Sequence, residues 1–226
     1  MSTRVRIKQA DPVLAVESVS RKPQQGRSKA SLERMLAAAQ RLMIERGSEE
    51  FTLQEVSKVG NVSIGSIYLR FESKDNLVRA VIADELERII GDEDAMIAKV
   101  LAASTNLAEF IPHYVEDFAE ILRFHAPLLR LSMLRAAYDP LIAEPGKRSA
   151  FRSVEIATAA MLRFKAEFGG TDCERKAAAS YQIIFATLAR QLSLGSTGES
   201  VHGQQDWTLL KIELGRMCLA YLKSAD

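Results

Sequence analysis

Hydrophobic positions along the chain repeat almost everywhere at three- and four-residue intervals, the spacing that lines one face of a helix. Leu32, Met35, Leu36, Ala39, Leu42 and Met43 form the first such stripe, from Ser28 onward, and Gly47 follows Arg46 as a natural stop. Phe51-Thr52-Leu53-Gln54-Glu55-Val56 then combines a capping box on Thr52 and Glu55 with a hydrophobic staple on Phe51 and Val56, which predicts a second helix starting near Leu53. Gly60-Asn61 interrupts it, since Asn tolerates a left-handed turn. Ser63 offers an N-cap to a third short helix through Ile67, Tyr68 and Leu69, and Ser73 caps a fourth from Lys74 to Ile90, ending at Gly91.

Beyond Gly91 the pattern predicts helices over 92–104, 106–125, 127–138, 148–168, 173–194 and 205–223. Pro127, Asp139-Pro140, Pro145-Gly146, Gly169-Gly170 and Gly195 to Gly203 mark the breaks, and Pro112 is expected to end or kink a turn. No alternating strand pattern competes, and 12 Gly and 6 Pro in 226 residues are too few for a turn-rich β fold. The fold class is therefore all-α. Two short helices joined by a tight turn and braced by longer ones have the layout of a helix-turn-helix DNA reader.

Charge sharpens this reading. The net charge is +1, but residues 1–80 carry +5 and the rest −4, as expected of one end that meets a polyanion. Residues 1–27 show no periodicity and read as a flexible basic arm. Cys173 and Cys218 are too few for a disulfide framework and fit inert packing. No apolar run reaches the roughly 18 residues a membrane span needs, so a cytoplasmic protein without a membrane partner is expected. No metal-ligand spacing, phosphate loop or nucleophile elbow appears, so neither an enzyme nor a cofactor nor a metal is expected.

Thr52-x-x-Glu55-Val56-Ser57-x-x-Gly60-Asn61-Val62-Ser63-x-Gly65-Ser66-Ile67-Tyr68-x-x-Phe71-x-Ser73-Lys74-x-x-Leu77 resembles the DNA-binding signature of the TetR family of transcriptional regulators. Where the family usually has Ala-Gly at the turn, this chain has Gly60-Asn61. The resemblance implies an N-terminal three-helix helix-turn-helix domain (28–80) followed by a C-terminal helical domain (81–226) for effector binding and dimerisation. It implies a double-stranded DNA operator as partner, a homodimer, and a repressor that responds to a small molecule. Phosphate contacts would fall on Thr52, Tyr68 and Lys74, and base-reading positions on Gln54, Ile64, Gly65, Ser66 and Arg70, with Ser63 beside them at the mouth of the helix. Ile64 could read only a thymine methyl or pack. Phe71 is expected in the core.

The rear helices suggest two further surfaces. Tyr181, Ile184, Phe185, Leu188 and Leu192 on one helix, with Leu210, Leu214 and Met217 on the last, are expected to form the dimer interface. The middle helices carry His113, Tyr114, Asp117, Phe118, His125, Arg130, Met133, Tyr138, Met161 and Phe164, an apolar wall with a few polar tips suited to a mostly apolar effector. Alternatives are a helix-turn-helix regulator controlled by a protein partner, and a helical small-molecule carrier or enzyme.

Overall fold

The computed structural model describes residues 26–192, 194 and 207–225, and among these every regular element is helical. The basic arm, apart from the helical backbone at 26 and 27, and the break expected from Gly195 to Gly203 lie outside the described residues. In chain order the helices are α1 (Gly26–Arg46), α2 (Leu53–Val59), α3 (Ile64–Arg70), α4 (Lys74–Ala103), α5 (Leu107–Ala136), α6 (Pro140–Leu162), α7 (Cys173–Gln191) and α8 (Trp207–Lys223). A short 3-10 turn, Lys165–Glu167, follows α6.

Three of the expected breaks are absent. Gly91 does not end the fourth helix, and α4 continues for another twelve residues because Ile89, Glu93, Met96 and Val100 keep an inward stripe at helical spacing. A glycine inside a helix costs only about 1 kcal/mol relative to alanine. Pro127 does not separate two helices, and Pro112 does not end a turn: both lie inside α5. An interior proline costs about 3 kcal/mol, whereas α5 buries Leu107, Phe110, Ile111, Tyr114, Phe118, Leu122, Leu128 and Leu131, each contributing about 1.5–3 kcal/mol. Packing wins by a wide margin. Pro145-Gly146 likewise falls within α6, which starts at Pro140 behind the N-cap Asp139 and ends at Leu162, short of the expected 168.

Two apolar clusters organise the chain. One joins α1, α2 and α3 to the first turns of α4, with Leu128 and Leu131 of α5 and Ile142 of α6 closing it from the other side. The second lies among the rear half of α4 and α5 to α8, around Phe110, Tyr114, Phe118, Met161, Tyr181 and Leu188. α4 and α5 run through both. Cys173 and Cys218 are free thiols, and burial pushes the Cys218 thiol up to about 11. No described helix is long and apolar enough to cross a membrane.

Where the clusters meet, His125 of α5 is buried between two carboxylates of α4, with Nδ1 2.8 Å from Glu85 and Nε2 2.9 Å from Asp92. Burial alone would lower the imidazole pKa, but the bonds to Glu85 and Asp92 leave it raised. A folded value above the unfolded one means a stability contribution complete below the ordinary value of about 6.5 and lost as pH rises through the folded value. Thermal melts from about pH 6 to about pH 9 should therefore show a falling midpoint, and His125→Gln should remove that dependence. A wild-type midpoint that is flat or rises over this window would mean that the imidazole is held neutral.

Candidate functional site

The front of the molecule is set by local chemistry. Thr52 caps α2: its hydroxyl accepts from the Glu55 amide at 3.2 Å, and the Glu55 carboxylate accepts from the Thr52 amide at 2.8 Å. Arg46 at the end of α1 reaches the same carboxylate at 2.6 Å, and these bonds hold Glu55 down at about 2. Phe51 and Val56 are both buried, as the staple requires. The turn forms as expected. Among the described residues Asn61 is the only non-glycine with positive φ, 47°. Gly60 beside it is right-handed, and its role is closeness: an added Cβ would stand 3.0 Å from the Arg34 carbonyl oxygen and 3.2 Å from the Ala38 Cβ, so α1 packs tightly on the turn. Ser57 donates to the Val62 carbonyl at 2.6 Å and locks the turn from the α2 side.

Left-handed backbone costs a β-branched residue about 1–2 kcal/mol. Asn61→Val should therefore lose that much stability in urea denaturation, while Asn61→Gly should be neutral or slightly stabilising. Equal midpoints for the two variants would exclude a backbone origin.

Ser63 caps α3, accepting from the Ser66 amide at 3.1 Å. α3 buries Ile67, and Phe71 just behind it is wholly inside. Its outer face carries Gly65, with open space where a Cβ would stand, then Tyr68 and Leu69, 54% and 70% exposed. Thr52, Gln54 and Ser63 are exposed, Ser66 is half-buried, and Ile64 packs partly on the core. Arg70 departs from expectation. It is 8% exposed and turned inward, because at this helical spacing it falls on the face of Ile67 and Phe71. Burial lowers its pKa, and it does not stand among the outward base-reading positions. Lys74 is half-buried: its ammonium donates to the Glu49 carbonyl at 2.8 Å and lies 5.1 Å from the Phe51 ring centre. Leu69 is the outward residue that sequence reasoning missed, since an apolar residue in a short helix reads as core.

Residues 35–81 match the family model of bacterial regulatory proteins of the tetR family. Over these residues the chain carries a DNA-binding domain of the tetR type. The TetR fold extends over the whole body. A TetR-family transcriptional regulator from Mesorhizobium loti superposes with a TM-score of 0.69 at 16% identity, covering 88% of this chain and 98% of that one. A transcriptional regulator from Cytophaga hutchinsonii gives 0.63 at 21% identity, covering 86% and 100%. A regulator from Saccharomonospora viridis in complex with choline gives 0.64 at 16%, covering 84% and 95%. None of the curated proteins matches the chain in sequence.

The residues of the expected effector wall do not come together around one space. Tyr114 and Phe118 face the second cluster and stack at 5.4 Å, while Met161 and Phe164 pack in the same cluster, Phe164 against Phe110 at 5.2 Å. The polar tips point elsewhere. His113 lies exposed in an open groove of about 330 Å³ between α5 and α8. Asp117 pairs with Lys99 at 2.7 Å, His125 is held by Glu85 and Asp92, and Tyr138 is 70% exposed. Arg130 donates to the Leu192 carbonyl at 3.1 Å, and Met133 is half-buried. Instead Tyr114 and Phe118 meet Glu93 and Met96 of α4, Ser153 of α6 and Tyr181 of α7 around one narrow interior crevice.

The expected dimer faces are rotated. Tyr181, Ile184, Leu188 and Leu214 are buried in the chain's own core, and Phe185, Leu192 and Leu210 are half-buried. Only Met217 of that set is exposed. The outward faces of the same two helices show Ile183, Leu209, Ile212 and Met217.

A cluster on Arg135 joins front to body. This residue near the end of α5 is 5% exposed; its guanidinium donates to Glu49 in the loop before α2, to Asp75 in the first turn of α4 at 3.0 Å, and to Asp139 at 2.9 Å. Asp139 also accepts from Arg79 at 2.9 Å and caps α6.

Proposed function

We propose that the chain is a homodimeric repressor that holds a near-palindromic operator through α3 and releases it when a small molecule enters the helical body. On this reading residues 28–80 read DNA, residues 81–226 sense and dimerise, and residues 1–27 supply a basic arm. The observation that carries the DNA-binding half is the outer face of α3: Gly65 lets the helix approach base edges, and Tyr68 stands out with a hydroxyl that reaches a phosphate. Lys74, at the start of α4, keeps donors beyond its bond to Glu49.

Support for the sensing half comes from the S. viridis regulator of the same fold, which is in complex with choline. Lys74 and Asp75 begin α4, and Glu93 on the same helix lines the interior crevice, so one rigid element spans both parts. A hundredfold loss of operator affinity requires about 2.7 kcal/mol of coupling, within the usual allosteric range. A specific observation favours a second reading, control by a protein partner: the crevice as it stands admits no water molecule.

Binding of the full chain to DNA flanking its own gene, followed by fluorescence anisotropy over a salt series, tests the first half. Tyr68→Phe should weaken binding to all sequences about three- to tenfold, and Gln54→Ala and Ser66→Ala should relax sequence preference by about 1–3 kcal/mol per base contact. Unchanged affinity and preference in all three would remove α3 from the interface. Release of the DNA by a small molecule, with the reciprocal loss of ligand affinity on DNA that linkage demands, separates the first reading from the second.

A further inference from the structure

Glu93 is 4% exposed in the middle of α4, and among the described residues no lysine, arginine or histidine nitrogen pairs with it. Arg152, the nearest cation along α6, is engaged with Asp94 instead. Among the described residues, the hydrogen bond the carboxylate receives comes from the Ser153 hydroxyl at 2.7 Å. The crevice is otherwise apolar, lined by Met96, Ile97, Ile156 and Ala157 and by the rings of Tyr114, Phe118 and Tyr181, which run in a continuous series, 5.4 Å and then 5.8 Å between centres. A buried carboxylate is costly without a partner charge, and burial pushes Glu93 upward against the pull of Ser153 and Arg152. A carboxylate kept in such a place is a candidate for function.

We propose that the effector is a monovalent organic cation, an amine or quaternary ammonium carrying hydrocarbon groups, whose charge pairs with Glu93 while its substituents lie against Tyr114, Phe118 and Tyr181. Aromatic faces attract such cations, and the attraction grows when water is excluded. A neutral apolar effector would leave the carboxylate unpaired. A divalent metal would need several oxygen ligands, and the described residues hold no such group there.

The inference rests on the reading of the body as a small-molecule sensor, and it says how that sensor works. The crevice is closed, so a ligand must part α4 from α6, taking the place of the Ser153 hydroxyl on Glu93. Glu93 lies 18 residues along α4 from Asp75, about 27 Å at the helical rise, and Asp75 is one of the three acids on Arg135. Displacement of α4 at Glu93 is thereby carried to the junction with the DNA-reading front.

Calorimetric titration of the full chain with a matched pair of probes tests this: (3-hydroxyphenyl)trimethylammonium, and 3-tert-butylphenol, which has the same shape without the charge. The wild-type chain should prefer the cation by about tenfold or more. Glu93→Gln should abolish that preference, keep binding of the phenol, and melt no lower than wild type, because it removes a buried charge. Preference of the wild type for the phenol, equal affinity, or a cation preference that survives Glu93→Gln overturns the proposal while leaving a small-molecule sensor intact. Binding of neither probe at millimolar concentration overturns the sensor reading and the proposal together. Where Glu93→Gln does not fold, the wild-type ratio of the two probes decides alone, and Tyr181→Leu should lower it.

Discussion

Arg135→Met should destabilise the fold by about 3–5 kcal/mol, the range found when one partner of a buried ion pair is removed and the other is left uncompensated. Burial by itself would lower the Arg135 pKa, but its bonds to Asp75 and Asp139 and the charge of Glu49 more than reverse this, so the cluster favours the charged form strongly. Asp139 is as buried as Arg135, at 4% exposed, and would keep Arg79 as its one cation beside the Leu141 amide that it caps. Glu49 and Asp75 are more exposed and should recover solvation, which places the loss mainly on the Asp139 side. Urea denaturation measures the change, and a double variant, Arg135→Met with Asp139→Asn, should lose less than the two single losses combined. A loss below about 1 kcal/mol would put Arg135 in the class of surface pairs screened by water.

The parts of this molecule legible in the sequence are those decided within a few residues. The capping box of Thr52 and Glu55, the left-handed Asn61 and the Ser63 and Ser73 caps are local devices, and each forms. The breaks expected at Gly91, Pro127 and Pro145-Gly146 do not form, for the opposite reason. Each is a local penalty of about 1–3 kcal/mol, outweighed by apolar surface that α4, α5 and α6 bury against partners far along the chain.

The candidate sites divide in the same way. An apolar stripe shows that a helix has a buried face but not whether its own core or another chain covers it, which is why Tyr181, Ile184, Leu188 and Leu214 read as interface and prove to be core. Arg70 reads as a DNA contact by residue type, yet the phase of α3, fixed by Ile67 and Phe71, turns it inward. Glu93 does not stand out in the sequence, because acids on long helices usually face water. Its signal was positional: it falls four residues after Ile89 and three before Met96, on the inward stripe of α4.

On the proposed reading of a homodimer, contact through the outward faces of α7 and α8 leads to the largest expected functional effect. Ile183, Leu209 and Met217 are 46%, 53% and 64% exposed, apolar surface on the last two helices that the chain's own core does not use. One seven-residue recognition helix reads only a few base pairs, so tight and specific binding requires two copies on one operator. Ile183→Asp with Leu209→Asp places a charge on each helix where a partner's matching surface would have to desolvate it. The variant should sediment as a folded monomer, because both side chains are outside the core. Its operator affinity should fall by about 100- to 10,000-fold, the gain that linking two binding events supplies, while its weak binding to a single half-site stays unchanged. Sedimentation and anisotropy on whole and half operators read the two effects separately. A wild-type chain that is monomeric at micromolar concentration, or a monomeric variant that holds the whole operator as tightly as wild type, would show that this face is not the dimer contact and that α3 does not act in pairs.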